Sequence, residues 1–171
     1  MGRLVHRTAP GCTYFVTTKT FGNRSLFCVA ETADIVVEMM LHYRATGAYL
    51  LHEFVLMPNH LHLMLTPGQT TTLEKAMQLI KGGSSHEVHK RRGHRMQIWQ
   101  PGFHECTVRD AQDFRIKAEY IRMNPVESRL VEKSEQWDYS SASGRFQLDE
   151  WPTNFASEAK ASALGRASCR S

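Results

Sequence analysis

The stretch FVLMPNHLHLML, Phe54 to Leu65, decides how this chain is read. It consists of two apolar runs hinged at Met57-Pro58-Asn59, and His60 and His62 interrupt the second run. Pro58-Asn59 is a turn signal, because proline lacks the N–H that a central ladder needs and asparagine tolerates turn geometry. The flanks therefore read as neighbouring antiparallel strands, Leu50 to Met57 and His60 to Thr66. In a strand, residues two apart share a face and stand about 6.5–7 Å apart along it. His60 and His62 then bring two imidazoles to one spot where the hairpin begins. A His-x-His pair on an apolar face also arises from ordinary core histidines with satisfied rings. As metal ligands, the two need at least one further donor and an open position for substrate.

Upstream, CTYFVTTKT (Cys12–Thr20) is rich in β-branched and aromatic residues and reads as a strand closed by Gly22-Asn23. ETADIVVEMMLHYRATG spaces Ile35, Met39, Met40 and Tyr43 at helical intervals, with Thr32 as the expected N-cap and Gly47 as the stop. Downstream, Pro67-Gly68 breaks the pattern. TTTLEKAMQLIKGGSSHEVHKRR then predicts a helix through Leu73, Met77 and Ile80, capped by Thr71 against Glu74. The run Gly82-Gly83-Ser84-Ser85 is expected to interrupt or end it. HECTVRD (His104–Asp110) predicts a short strand, and Asp110 caps a helix over AQDFRIKAEYIRMN that Pro125 stops. This order predicts an α+β fold, a ferredoxin-like antiparallel sheet with helices packed on one face. Residues 1–145 are expected to form the domain, and the Ala- and Ser-rich segment 146–171 a partly ordered tail carrying no chemistry.

A chain of 171 residues suits one domain with a real core. Hydrophobic content of 42% and charged content of 22% exclude a disordered or fibrous protein. No apolar run approaches the ~20 residues of a membrane helix, and the start lacks a secretory pattern, so a cytoplasmic protein is expected. Cys12, Cys28, Cys106 and Cys169 form no Cys-x-x-Cys pair, which argues against a zinc ribbon or a disulfide framework. The net charge of +4 leans towards an anionic partner. Lys81, Lys90, Arg91, Arg92 and Arg95, then Arg115, Lys117 and Arg122, make the middle third basic. Such a cluster suits phosphates, and equally a solvated helix face.

Where is a third donor? Met64 occupies the position at which a histidine triad would need its next histidine. His86 and His89 are three apart, not the four that a zinc-protease helix requires, and read as surface residues. AEYIRMNPV offers more: Tyr120 and Asn124 are four apart and share a helix face. An asparagine carbonyl oxygen is a possible metal ligand, and a tyrosine hydroxyl is a nucleophile able to form a covalent intermediate. The alternative is that Tyr120 packs in the core and Asn124 merely ends the helix.

NHLHLML followed by AEYIRMNPV resembles the His-hydrophobic-His single-tyrosine transposases of bacterial insertion sequences, and more closely the REP-associated tyrosine transposases. YFVTTKTFGNRSLF, IWQPGFHECTVRD and WDYSSA extend the resemblance from about Gly11 to Ser143. Relaxases place their tyrosine before the histidines. Replication initiators usually carry lysine where this chain has Asn124, and many insertion-sequence members carry glutamine.

The resemblance implies a ferredoxin-like sheet with His60 and His62 on a central strand and Tyr120 on a helix over it. It implies Mg²⁺ or Mn²⁺ held by His60, His62 and Asn124, and attack by Tyr120 on DNA to give a 5′-phosphotyrosine and a free 3′ hydroxyl. The expected substrate is single-stranded DNA beside hairpins, namely REP-like palindromes, handled by a monomer or homodimer in the nucleoid. Lys81, Arg91, Arg92, Arg115 and Arg122 are DNA-binding candidates by charge. Trp99 and Phe103, flanking Pro101-Gly102, are either a base-stacking surface or buried anchors. No sequence feature names a general base. A hairpin-binding module without catalysis, and a phosphodiesterase using metal-activated water, are the competing functions.

Overall fold

Alternation of β-branched and aromatic residues makes YFVTTK a strand, β1 (Tyr14–Lys19), in the computed structural model, which describes residues 9, 11–93, 95–152 and 155. Helix α1 (Ala30–Ala45) follows, then the hairpin β2 (Tyr49–Met57) and β3 (His60–Pro67), α2 (Leu73–Arg92), β4 (His104–Thr107) and α3 (Ala111–Glu127). The four strands form one antiparallel sheet in the order β2-β3-β1-β4. This is the ferredoxin-like order, with β3 and β1 central.

The sheet is buried on both faces over β2 and β3, which is why their sequences are nearly continuous apolar runs. Val16, Leu51, Phe54, Leu56, Leu61, Leu63 and Leu65 meet α1 and α2 on one face. Val55, Met57 and Met64 meet Phe114, Ala118 and Ile121 of α3 in a second cluster. The expected one-sided cover thus describes α1 and α2, whereas α3 crosses the opposite face. That crossing brings the tyrosine helix over the histidines.

Local boundaries differ from expectation for identifiable reasons. Gly82 to Ser85 do not break α2. Gly83 is small enough to lie against Tyr43, where a Cβ would stand 2.5 Å from the ring, and Ser84 Oγ donates to the Ile80 carbonyl at 2.6 Å. The helix instead stops at Gly93, whose left-handed φ of 65° lets its N–H reach the His89 carbonyl. Thr72, not Thr71, caps it by accepting from the Lys75 N–H, and Val29 rather than Thr32 precedes α1. Asp110 caps α3 as read, accepting from the Asp113 N–H at 2.7 Å. Pro125 does not stop α3: it sits in the last turn, its missing N–H removes only the bond to the Ile121 carbonyl, and the helix runs to Glu127.

Past residue 145, the described chain packs on the domain. Phe146 and Leu148 join the first core, Asp149 accepts from Arg44 Nε at 2.6 Å and from the Leu51 N–H at 2.8 Å, and Trp151 lies 4.6 Å from Phe114. Apart from Phe155, the rest of the expected tail, from residue 153, is outside the described residues. Among the described residues no helix is long and apolar enough to cross a membrane.

Candidate active site

Directly opposed residues of an antiparallel pair project from the same face. In the ladder, His62 stands between Val55 of β2 and Thr17 of β1, and His60 between Met57 and Lys19. Both imidazoles therefore rise from the face that α3 crosses, with ring centroids 4.7 Å apart. Tyr120 of α3 meets His62 edge-on at 5.3 Å and Phe15 at 5.9 Å, and remains 43% exposed. Phe15 also stacks on His62 at 5.6 Å, so the three rings are in mutual contact. Asn124, one turn along α3 from Tyr120, is buried, and its carboxamide makes no hydrogen bond to another described residue.

The histidines are oriented through their Nδ1 atoms. Asn23, held at a left-handed φ of 55°, accepts at Oδ1 from Asn59 Nδ2 at 3.0 Å. That bond turns Asn59 Oδ1 towards His60 Nδ1, 2.7 Å away. An amide oxygen only accepts, so His60 carries its proton on Nδ1 and keeps a lone pair on Nε2. Thr17 Oγ1 lies 2.8 Å from His62 Nδ1 and fixes the ring's orientation, its hydroxyl being able to donate to or accept from that nitrogen. Metal-binding histidines are set in this way by the partner of the other ring nitrogen.

Both rings are neutral near pH 7. Burial lowers His62 to about 3, with His60 and Lys19 acting in the same direction. His60 is lowered by burial and then by Lys19. Among the described residues no three His, Cys, Asp or Glu side chains gather at one place. A cation here would need a further donor, and the carboxamide of Asn124, without a partner among the described residues, is of a type that could supply one. Two neutral imidazoles and an amide oxygen form a donor set suited to Mn²⁺ and tolerable for Mg²⁺.

The charge-based DNA candidates are engaged elsewhere. Lys81 donates to the carbonyls of Gln100, at 2.7 Å, and Gly102, and burial lowers it to about 8. Arg91 pairs with Glu87 and Glu38, and Arg92 with Glu31 at 2.9 Å. Arg115 lies over the Trp151 ring at 5.5 Å. Arg122 is held by the buried Glu53, which also accepts from Ser141. Trp99 is a buried anchor, donating from Nε1 to Ser84 Oγ at 3.0 Å and tilted on Phe27, so its face is not open for stacking. Thr17, Lys19, Asn23 and Asn59 escaped the sequence reading. The alternation in TYFVTTK put Thr17 and Lys19 on one face, but only the β1–β3 register shows which histidines they meet.

A family model described as transposase IS200-like matches residues 12–124. A REP-associated tyrosine transposase of Escherichia coli (strain K12) is 24% identical over 145 residues, covering 81% of this chain and 84% of that protein. A putative REP-associated tyrosine transposase of Haemophilus influenzae is 24% identical over 135 residues, covering 71% and 77%. Among solved structures, a REP-associated tyrosine transposase bound to a REP hairpin aligns with a TM-score of 0.70 and 22% identity, over 91% of this chain and 96% of that one. A putative transposase from Deinococcus radiodurans R1 aligns with a TM-score of 0.51 and 20% identity, over 71% and 94%.

Proposed function

Since the chain belongs to the IS200-like transposase family, we propose that it cuts and rejoins single-stranded DNA beside hairpin-forming palindromic repeats through a covalent bond to Tyr120. The observation that carries this reading is the exposed Tyr120 phenol edge-on to His62, beside two histidines whose Nε2 atoms no described residue engages. The hairpin in the solved relative supports the choice of substrate.

Tyr120 Oη attacks the scissile phosphorus. The Oη–P bond forms as the P–O3′ bond breaks, the phenolic proton passes to water, and the departing 3′ oxygen takes up a proton. The 5′ side stays on the protein as phosphotyrosine, so a later 3′ hydroxyl can reverse the step without a nucleotide cofactor. Phe15 and His62 contact the Tyr120 ring from the sheet, which limits its rotation. His60 and His62 through Nε2, with Asn124 through its amide oxygen, would hold Mg²⁺ or Mn²⁺. Bound there, the ion supplies Lewis-acid polarisation of a non-bridging phosphate oxygen.

The test is a denaturing gel of protein incubated with Mn²⁺ and end-labelled single strands spanning palindromic repeats of the source genome. A protein-linked DNA band that Tyr120→Phe abolishes is the expected result. Cleavage that survives Tyr120→Phe without an adduct points to metal-activated water. Tight hairpin binding with no cleavage by either protein reduces the chain to a binding module.

A further inference from the structure

Lys19 closes β1 and stands directly opposite His60, so its side chain leaves the sheet from the same face as both imidazoles. It is exposed and forms no ion pair with any described residue. The contrast with other cations is informative. Arg44 pairs with Asp149, Lys117 with Asp113, Arg122 with Glu53, and Arg91 with Glu87 and Glu38. At the histidine pair, by contrast, no carboxylate among the described residues pairs with Lys19.

An unpaired ammonium beside a site suited to a divalent cation is electrostatically unfavourable until an anion enters between them. A phosphodiester has two non-bridging oxygens, so one can face Lys19 while the other faces the histidines. Resting on the proposed tyrosine chemistry, we infer that Lys19 is a further catalytic residue, whose ammonium contacts a non-bridging oxygen of the scissile phosphate. Its positive charge stabilises the negative charge that grows on those oxygens as the Tyr120 Oη–P bond forms. The contact transfers no proton, so the balance of the step is unchanged.

The test compares Lys19→Met and Lys19→Arg with wild type for rate of adduct formation. Lys19→Met is expected to slow it about a hundredfold, as loss of a preorganised electrostatic donor does, and Lys19→Arg to recover most of that loss. A second readout needs neither metal nor turnover. In EDTA, Tyr120→Phe is titrated with the mapped strand and with the same strand bearing a neutral methylphosphonate at the cleaved position. Adding Lys19→Met should weaken binding of the diester about tenfold and leave the methylphosphonate within about twofold, the loss being one phosphate contact. Equal loss on both strands overturns the inference, because Lys19 would then meet the backbone elsewhere. An adduct formed as fast by Lys19→Met as by wild type also overturns it, while leaving the tyrosine chemistry standing. A wild-type protein that forms no adduct overturns that chemistry first, and the inference with it.

Discussion

Replacing Arg122 with methionine separates a fold-holding role from a DNA-binding one. Glu53 has a side chain only 4% exposed, on a strand that α3 crosses, and Arg122 reaches it from α3 with Nε 3.2 Å from Oε2. Removing one partner of a fully buried pair costs about 3–5 kcal/mol, because the other charge is stranded. Arg122 itself is 46% exposed and Ser141 still donates to Glu53, so the cost here is smaller, about 2–3 kcal/mol. For a chain of this size each kcal/mol moves the melting temperature by about 2–4 °C, which puts the expected fall at roughly 4–12 °C. Thermal unfolding followed by circular dichroism reads it. Adding Glu53→Gln should recover about half of the fall, since no buried charge is then left alone. Hairpin affinity of the folded variant, measured by fluorescence anisotropy at low temperature, should stay within about twofold. An unchanged melting temperature with a clear loss of DNA affinity would refute this reasoning and return Arg122 to the phosphate backbone.

Thr17→Val keeps the strand shape but removes the partner of His62 Nδ1. Mn²⁺ affinity measured calorimetrically should fall about 10–100-fold, as loss of such an outer partner typically does, and unchanged affinity would separate the Thr17 contact from metal binding. Gly82→Ala, with open space at its Cβ, should stabilise α2 by about 0.5–1 kcal/mol, whereas Gly83→Ala should destabilise because Tyr43 must move; urea midpoints distinguish them. His62 has its pKa depressed on folding, so the unfolded chain binds more protons between the ordinary histidine value of about 6.5 and the folded value of about 3. Its contribution to stability is therefore complete above that window and lost as pH falls through it. The urea midpoint should decline in acid more steeply for wild type than for His62→Asn, and parallel curves would contradict this assignment.

Much of the fold was legible because its signals are local. Two apolar runs joined at Pro58-Asn59 specify a hairpin wherever the chain places it, and the Asp110 cap begins α3 within one residue of expectation. The misread boundaries at Gly82 and Pro125 share a cause. Propensity counts the local cost of glycine or proline, but a glycine pressed on Tyr43 and a proline in a final turn cost little in place. The intramolecular partners of the cationic candidates were hidden in the sequence for a similar reason. Charge in a sequence does not say whether a carboxylate lies opposite, and Glu53 meets Arg122 across 69 residues of chain.

By itself the sequence determined the chemistry that is available: two histidines sharing one strand face, and a tyrosine and an asparagine one helical turn apart. Both facts follow from the periods of the backbone, two for a strand and 3.6 for a helix, which need no tertiary information. Only the tertiary structure decided that α3 crosses the histidine face rather than joining α1 and α2. It alone pairs Thr17 with His62 and Lys19 with His60. Those choices depend on strand register and on which apolar stripe covers which half of the sheet, and both are settled by packing between segments far apart in the chain.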